Sequence, residues 1–401
     1  MSSKLYDIAI IGGGIVGTAT ALQILKKKKL SLIIIEAEDK LAAHQTGRNS
    51  GVIHSGLYYK PGSLKASNCV EGRNLLYRFC EENQIKYERC GKIVVAVNEK
   101  EIPRLNELER RGKENGLKVT KRLTKDEIKN YEPHAAGIEG LFVGETGIVD
   151  YTEVTKAYEK VILDFEGEVK TGCKFLSLSK NKNELVLNTS AEEIRTKFLI
   201  NCGGLQSDRI AAMCGLNTDI QIIPFRGEYY KIKKEKEYLV KNLIYPVPDP
   251  RFPFLGVHFT RMINGGIEAG PNAVLAFKRE GYKFKDFSLR DISEMINFPG
   301  FWKMGKKYYR TGFHEFYRSL SKSAFVSALQ KLIPEINEND VTPYKAGVRA
   351  QAVDRNGNLL DDFRIIESDN MVHILNAPSP AATASLSIGE KIASLVIDKI
   401  N

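Results

Sequence analysis

The sequence predicts an α/β fold, and three features of its first 36 residues indicate this class. A short apolar run from Tyr6 to Ile11 has the character of a buried strand, and Gly12 to Gly14 interrupt it. Apolar residues then recur at helical spacing, at Ile15, Ala19, Leu22 and Leu25. A second apolar run, Leu32 to Ile35, ends at Glu36. Strand, helix and strand in this order form a βαβ opening, the unit from which parallel sheets are built.

The glycines of this opening have the spacing of a dinucleotide-binding turn. Gly12, Gly14 and Gly17 form G-x-G-x-x-G directly between the strand and the helix. In that motif the first glycine permits the turn, the second lets the backbone approach a pyrophosphate, and the third permits close packing of helix on strand. Glu36 lies 19 residues past Gly17, where a carboxylate accepts hydrogen bonds from a ribose. The alternative is a glycine-rich turn without a ligand.

Beyond the opening, helical and strand patterns alternate along the chain. Helices are predicted near 63–83, 102–115, 152–165, 291–296 and 382–399, and strands at 93–97, 198–201 and 371–375. Because strands suited to one parallel sheet occur at the start, middle and end, we predict a discontinuous Rossmann-like domain. It comprises residues 1–90, 145–222 and 340–401. Residues 91–144 and 223–339 then form an α+β substrate domain with a mixed or antiparallel sheet.

Composition restricts the class of protein. The 401 residues are 43% hydrophobic and 27% charged, which is ordinary for a globular protein. The net charge of +10 favours acidic small molecules, anionic lipid or nucleic acid, but no nucleic-acid-binding module is recognisable, so we predict no nucleic-acid partner. The six cysteines show no C-x-x-C or metal-ligand spacing, which predicts no metal site and a reducing, cytoplasmic setting. The longest apolar stretches are far below the roughly 18–20 residues of a spanning helix.

Two later segments favour FAD over a nicotinamide cofactor. The buried strand Phe198–Asn201 leads into Gly203 and Gly204, as if the backbone again had to pass close to the cofactor. A turn of small residues and prolines, 376–384, precedes the last helix. A helix N-terminus aimed at the pyrimidine edge of a flavin would stabilise the negative charge of the reduced ring. The Rossmann-like domain is therefore interpreted as an FAD-binding domain. The alternative for the turn is a helix cap with two prolines.

Four segments resemble those of the L-2-hydroxyglutarate oxidase/dehydrogenase family, within the D-amino-acid-oxidase-like flavoproteins. They span residues 46–56, 253–260, 346–351 and 376–383. The resemblance implies FAD, and it implies oxidation of L-2-hydroxyglutarate to 2-oxoglutarate between the flavin and a sheet of the second domain. Many broader relatives carry glycine where this chain has Ala381 and Ala382. Gly203 and Gly204, after the strand Phe198–Asn201, are predicted to bind the cofactor. The family-like segments add further predicted cofactor residues: Arg48, Asn49, Ser50, Gly51, Ser379, Pro380, Ala381, Ala382 and Thr383.

Oxidation of a hydroxy acid needs a base for the hydroxyl proton, and two histidines are candidates. Histidine suits this role because its unperturbed pKa lies near physiological pH. His54 follows the segment that the resemblance places along the flavin. His258 lies in an alternating run whose strand parity it shares with Thr260, opposite Phe259. Either is the predicted base, and a buried structural histidine is the alternative for each.

A dicarboxylic substrate also needs cations with fork geometry. The resemblance maps Arg349 to a substrate-carboxylate arginine beside the flavin ring. Arg226 and Tyr229, in the segment 224–230, are further predicted substrate contacts, with a structural role as the alternative for Arg226. Arg261 shares strand parity with Val257 and is predicted to point away from His258.

The segment 298–310 interleaves aromatic and basic residues and contains the only tryptophan. Such a segment can lie in a lipid headgroup layer, and the alternative is aromatic packing beneath a basic surface. Peripheral contact with the inner face of the membrane would favour quinone over oxygen as the electron acceptor, and no residue decides between the two. Rival functions are an FAD enzyme for an amino acid, an amine or glycerol 3-phosphate, a nicotinamide-dependent dehydrogenase, and a nucleic-acid-binding flavoprotein.

Overall fold

The computed structural model describes residues 4–181, 184–249 and 255–400. In the first half of these residues the elements are β1 (Leu5–Ile11), α1 (Ile15–Lys27), β2 (Leu32–Ile35), β3 (Val52–Ile53), α2 (Leu64–Glu82), β4 (Tyr87–Glu88), β5 (Lys92–Ala96), α3 (Ile102–Glu114), β6 (Thr120–Thr124), α4 (Lys125–Tyr131), β7 (Glu139–Val143), β8 (Gly147–Val149), α5 (Tyr151–Asp164), β9 (Glu168–Lys170), β10 (Phe175–Asn181), β11 (Glu184–Thr189) and β12 (Glu193–Asn201). The second half contains α6 (Ser207–Met213), β13 (Ile220–Ile232), β14 (Leu243–Pro246), β15 (His258–Arg261), β16 (Ile267–Gly270), β17 (Val274–Leu275), α7 (Leu289–Asn297), α8 (Pro299–Leu320), α9 (Lys322–Gln330), β18 (Val341–Asp354), β19 (Arg364–Ser368), β20 (Met371–Asn376) and α10 (Ser385–Ile400).

The first sheet has a parallel centre that joins the two ends of the chain. Its order is β10-β11-β12-β1-β2-β9, with β20 paired to β12 and β19 to β20. Strands β12, β1, β2 and β9 run parallel, and β20 runs parallel to β12. The apolar run of β1 is buried because helices α1, α5 and α10 cover one face and α6 contributes to the other. The predicted Rossmann-like arrangement is confirmed.

The second sheet has nine strands and is mixed, as predicted. Its order is β17-β13-β16-β15-β14-β5-β7-β6, with β18 on the other side of β13. All of its pairs are antiparallel except β5 with β14. One face packs on α9 through Phe259 and Phe325, whereas Val94 and Leu141 of the other face cluster with Val52 and Leu57. A small third sheet has three strands in the order β3-β8-β4.

Strand pairing bears on the predicted domain boundary at residue 340. The sequence interpretation placed everything from residue 340 onward in the FAD-binding domain. Strand β18 instead pairs with β13 along most of its length, from Ile220 opposite Asp354 to Ile232 opposite Val341. It therefore belongs to the second sheet, and the chain returns to the first sheet only with β19 and β20.

Most predicted helices are present within one to three residues of their predicted ends. The segment predicted as an aromatic and basic patch is the start of α8, a 22-residue helix that begins at Pro299. Across the described residues, none of the helices combines the length and the apolar composition that crossing a membrane requires. Residues Pro253 and Phe254 of the second family-like segment lie outside the described residues.

Candidate functional site

The turn between β1 and α1 explains why two of its three glycines are needed for packing. A Cβ atom on Gly12, whose φ is +110°, would lie 2.4 Å from the Cys202 carbonyl oxygen. A Cβ on Gly17 would lie 2.1 Å from the Gly12 carbonyl oxygen. A Cβ on Gly14, in contrast, would meet only the Thr46 hydroxyl oxygen, at 3.4 Å. The second glycine therefore leaves open space at the N-terminus of α1, where a pyrophosphate is held in dinucleotide-binding folds.

Glu36 stands beside this turn at the end of β2. Its carboxylate accepts hydrogen bonds from the backbone N–H groups of Gly13, at 2.7 Å, and Glu38, at 2.9 Å. Two backbone bonds fix a carboxylate that the sequence predicted to bind a ribose. Gly203 and Gly204 follow β12 on the other side of the turn, and the Gly203 N–H donates to the Asn201 side chain at 3.0 Å.

Residues 48–51, the segment predicted to run along the flavin, contact strand β18. A Cβ on Gly347 would lie 2.2 Å from the Arg48 carbonyl oxygen, so only glycine permits this approach. The Arg48 guanidinium stacks 3.8 Å from the centre of the Tyr282 ring. Asn49 caps the bend by accepting from the Gly51 N–H, at 2.8 Å, with Ser50 between them. This segment is thereby held close to the strand that carries Arg349.

The turn before α10 closes onto the same place. The Thr383 hydroxyl accepts from the His54 backbone N–H at 3.0 Å and lies 2.9 Å from the Tyr151 hydroxyl. Helix α10 begins at Ser385, three residues later than predicted. Its preceding turn is held by the Ala381 N–H, which donates to the Pro378 carbonyl. Within the described part of the chain, the Ala382 and Thr383 N–H groups have no protein acceptor. The Ser379 side chain is hydrogen-bonded to the Tyr59 hydroxyl. Free N–H groups suit the anionic edge of a flavin.

Strand register places the predicted substrate residues on one face of the second sheet. His258 shares its face with Thr260, which lies opposite Leu243, and Leu243 shares its face with Tyr245. His258 also lies opposite Gly270, and continuing that register across β16 and β13 puts Tyr229 on this face. Phe225 lies opposite Arg349 on β18, and although the register of the two strands shifts between Glu228 and Tyr230, the charge of Arg349 acts on the Tyr229 hydroxyl. We call this surface the substrate face.

Both predicted bases lie in this site. Burial, with the nearby charges of Lys92 and His258, lowers the pKa of His54 to about 3. Burial, with the charges of Arg349 and Lys92, lowers the pKa of His258 to about 4. His258 Nδ1 lies 3.0 Å from the Gly256 carbonyl, so the neutral ring donates there and leaves Nε2 as an acceptor. The buried His54 Nδ1 has no hydrogen-bond partner in the described structure.

The predicted arginines separate into two groups. Burial lowers the pKa of Arg349, and the Tyr229 hydroxyl is its electrostatic neighbour. Arg226 lies one residue from Phe225 and so on the opposite face, where it pairs with Glu228 at 2.8 Å and donates to the Lys283 carbonyl at 3.0 Å. Arg226 thus bonds within the protein on the face opposite the substrate face, and its contact with substrate stays a prediction. Arg261 also points away from His258 and pairs with Glu88.

Lys92 is a member of this site that the sequence interpretation missed. It is the first residue of β5, and its side chain is among the largest that are fully buried. Its ammonium lies 4.2 Å from the Tyr58 ring centre and 5.1 Å from that of Tyr245. A lysine at the start of a predicted strand is normally exposed, and only the neighbouring G-K-I-V-V pattern of a buried strand could have drawn attention to it.

A group of three potential metal ligands, Glu38, His44 and Glu280, lies apart from this face, with ligand atoms within 4.8 Å of one another. His44 is already hydrogen-bonded through Nδ1 to Tyr282 and through Nε2 to Glu38. These bonds account for the group without an ion.

Comparison with known proteins agrees with this geometry. The family model for FAD dependent oxidoreductases matches residues 7–395. The L-2-hydroxyglutarate dehydrogenase of Indibacter alkaliphilus is 54% identical, with 98% of this chain and 99% of that protein covered. The mitochondrial L-2-hydroxyglutarate dehydrogenase of Homo sapiens is 45% identical, with 98% and 89% covered.

The fold also has close likenesses among solved structures. L-alpha-glycerophosphate oxidase from Mycoplasma pneumoniae, with FAD bound, has a TM-score of 0.81 at 21% identity and covers 98% of this chain and 95% of that chain. Glycine oxidase from Geobacillus kaustophilus has a TM-score of 0.74 at 16% identity, with 98% and 95% covered. The open space at Gly14, the fixed Glu36 carboxylate and the free N–H groups before α10 fit FAD as the cofactor. The chain belongs to the FAD dependent oxidoreductase family.

Proposed function

We propose that this protein oxidises L-2-hydroxyglutarate to 2-oxoglutarate. The observation that carries the proposal is the identity of 45–54%, over nearly the whole chain, to proteins named L-2-hydroxyglutarate dehydrogenase from a bacterium and from human. Bound FAD would supply the acceptor for the hydride that leaves C2. The residues of this chain then have to bind a dianion, orient its C2 hydrogen and accept the hydroxyl proton.

Arg349 is the proposed partner of one substrate carboxylate. Its guanidinium offers a planar fork that matches a carboxylate, and it lies on the substrate face next to Tyr229. Burial raises the pKa of Tyr229 to about 12, so its hydroxyl stays protonated and can donate to the same carboxylate. Together the two side chains would fix one end of the substrate.

His258 is the proposed base. Its lowered pKa keeps the ring neutral at physiological pH, and its hydrogen bond to Gly256 directs the lone pair of Nε2 away from the backbone. A dianionic substrate nearby raises the pKa of a histidine, because opposite charge favours the protonated form. Substrate binding would therefore prepare His258 to take the hydroxyl proton. His54, fixed through its backbone to Thr383, would position the substrate from the cofactor side.

Anaerobic mixing of the purified flavoprotein with a panel of substrates tests the function. We expect L-2-hydroxyglutarate to bleach the flavin absorbance near 450 nm rapidly, whereas D-2-hydroxyglutarate, glycerol 3-phosphate, L-glutamate and simple amines leave it unchanged. Bleaching by an amino acid, an amine or glycerol 3-phosphate, without bleaching by L-2-hydroxyglutarate, would reject the proposal in favour of a related flavoenzyme.

We further propose that α8 rests on an anionic membrane surface, a position that would favour quinone over oxygen as the electron acceptor. Six large apolar residues fall within a narrow arc of the helix at 100° per residue, and all are exposed, with Phe313 at 75%. This α8 apolar surface consists of Trp302, Tyr309, Phe313, Phe316, Tyr317 and Leu320. Exposed apolar patches of this kind mark interaction sites.

Basic residues beside the α8 apolar surface supply charge complementarity to anionic lipid. Lys303, Lys307 and Arg310 flank it on one side and Lys306 lies at its edge beside Tyr317, and none of the carboxylates that the structure describes forms a salt bridge with these four cations. Each such cation near an anionic surface contributes about 1 kcal/mol. The aromatic rings would enter the headgroup layer while the cations contact lipid phosphates.

Cosedimentation with vesicles containing anionic lipid tests this contact. We expect binding that high salt reverses, and we expect Phe313→Glu to abolish it while the flavin spectrum stays normal. Leu176→Glu changes a comparably exposed apolar residue on β10 and serves as the matched control. Absence of cosedimentation at low salt, or an equal loss in the control, would reject the membrane surface.

A further inference from the structure

Lys92 occupies an environment that is costly for a lysine. Its side chain is 1% exposed, and no carboxylate among the described residues lies within about 4 Å of its ammonium. Burial lowers the pKa of Lys92 from 10.5 to about 7. The rings of Tyr58 and Tyr245 stabilise the cation without neutralising it. A buried ammonium without a counter-ion destabilises a fold. The position of Lys92 is therefore explained if the ammonium binds an anion that is not part of the protein.

Lys92 lies next to the proposed base. Tyr245, which contacts the ammonium, stacks on His258 with ring centres 4.0 Å apart and an interplanar angle of 21°. Position 92 alternates to the same side of β5 as position 94, which lies opposite Tyr245, so Lys92 belongs to the substrate face. The charge of Lys92 lowers the pKa of both histidines, whereas that of Arg349 acts on His258.

The hydroxyl of Tyr58, whose ring lies against the Lys92 ammonium, and a second hydroxyl beside His54 in the chain are also without partners. The Tyr58 hydroxyl and the Ser55 hydroxyl, which follows His54 in the chain, have no hydrogen-bond partner in the described structure. Buried polar atoms are rarely left unsatisfied, and those that are often belong to ligand sites. Hydroxyl groups and an ammonium together form a set of donors that suits a carboxylate.

We propose that Lys92 is the second cation of the substrate site and binds the distal carboxylate of the substrate, while Arg349 binds the carboxylate next to the hydroxyl. The inference rests on the proposed function, since it assumes a dicarboxylic substrate. Two cations on either side of His258 select a molecule with an anionic group at each end and hold its hydroxyl between them. Lys92 thus determines specificity for dicarboxylic over monocarboxylic hydroxy acids.

The proposal has a consequence for pH dependence. Between about pH 6 and 9, the other titratable groups around Lys92 are neutral by their shifted pKa values: His54, His258, Cys69, Tyr58 and Tyr245. Arg349 remains a cation throughout this range, and Lys65 adds a further positive charge on the His54 side. In the free enzyme, Lys92 is the group of this set that changes charge in this range. A carboxylate binds its protonated form, so affinity should be full below about pH 7 and fall as the pH rises above it.

Lys92→Met in the FAD-loaded enzyme tests the proposal, because methionine replaces the ammonium with an apolar group of similar length. The substrates are L-2-hydroxyglutarate and L-2-hydroxyvalerate, in which a methyl group replaces the distal carboxylate. We expect kcat/KM for L-2-hydroxyglutarate to fall about 100-fold, the cost of truncating one partner of a buried charge pair, and that for L-2-hydroxyvalerate to change little. Lys121→Met, on an exposed edge strand of the same sheet, is the matched control.

Equilibrium binding of 2-oxoglutarate, followed by its perturbation of the flavin spectrum, gives a readout without turnover. We expect the affinity of the wild type to fall above pH 7, and that of Lys92→Met to be lower and constant with pH. Retained flavin absorbance and an undiminished melting temperature would show that the variant folds. Equal losses on both substrates, or an unchanged 2-oxoglutarate affinity and pH profile, would overturn the role of Lys92. Wild-type enzyme that neither binds 2-oxoglutarate nor is reduced by L-2-hydroxyglutarate would instead reject the proposed function.

Discussion

Two glycines of the first turn serve different purposes: Gly14 leaves space for FAD, whereas Gly17 permits helix α1 to pack on β1. Alanine substitutions should separate the two effects. Gly14 has φ −78° and ψ 174°, a conformation that alanine adopts freely, and its added Cβ would contact only Thr46, at 3.4 Å. Gly14→Ala should therefore leave the apoprotein as stable as the wild type. The same methyl group would occupy the space through which the backbone approaches a pyrophosphate. Overpacking of that kind costs about 1–3 kcal/mol, which corresponds to a loss of FAD affinity of about 5- to 150-fold.

Gly17→Ala is the matched comparison. Its Cβ would lie 2.1 Å from the Gly12 carbonyl oxygen, so helix α1 would have to shift away from β1 whether or not FAD is bound. We expect a loss of about 1–3 kcal/mol in the stability of the apoprotein. Thermal unfolding of both apoproteins and titration with FAD, followed by quenching of flavin fluorescence, separate the two effects. Wild-type FAD affinity in Gly14→Ala, or apoprotein destabilisation equal to that of Gly17→Ala, would refute this reasoning.

Further predictions concern the substrate face and one buried ion pair. Arg349→Lys should raise KM for L-2-hydroxyglutarate about 10- to 100-fold, since a point charge replaces a bidentate fork, and an unchanged KM in steady-state assays would contradict this. His258→Gln should slow flavin reduction in stopped flow at least about 100-fold, with a smaller effect for His54→Gln; the reverse order would make His54 the base. Because burial lowers the pKa values of these histidines from 6.5 to about 4 and 3, the unfolded chain binds protons that the folded chain does not, and stability should fall as the pH drops from 6.5 toward 4. Replacing both by Gln should flatten this fall in pH-dependent unfolding. Arg279→Ala should cost about 3–5 kcal/mol in chemical denaturation, because it leaves the buried carboxylate of Asp208 without its partner; a change below about 1 kcal/mol would be inconsistent with a buried pair.

The sequence was sufficient for those parts of the fold that are encoded locally. The βαβ opening, the glycine turn and the bounds of α2, α3 and α5 follow from apolar spacing and caps, such as the Ser63 side chain that accepts from Ala66. The family-like segments also identified residues 48–51, His258 and Arg349, which the structure gathers at one place although they are far apart in the chain. In this case the resemblance, rather than spacing, supplied the grouping.

Long-range pairing and side-chain orientation could not be predicted in the same way. The pairing of β13 with β18 joins segments more than one hundred residues apart, so local patterns could not show that β18 belongs to the second sheet. The orientation of Arg226 depends on that register, and the burial of Lys92 depends on Tyr58 and Tyr245, which are distant in sequence. The sequence did not predict helix α8, because its apolar residues form an exposed arc and not the core-facing stripe of a buried helix.

A crystal structure of the enzyme with FAD and 2-oxoglutarate tests the central claim most directly. We predict that the flavin ring lies between the Thr383 turn and the substrate face, with the product keto oxygen near His258 Nε2 and its two carboxylates on Arg349 and Lys92. A flavin ring distant from His258 and Arg349, or a product bound away from the substrate face, would contradict the account.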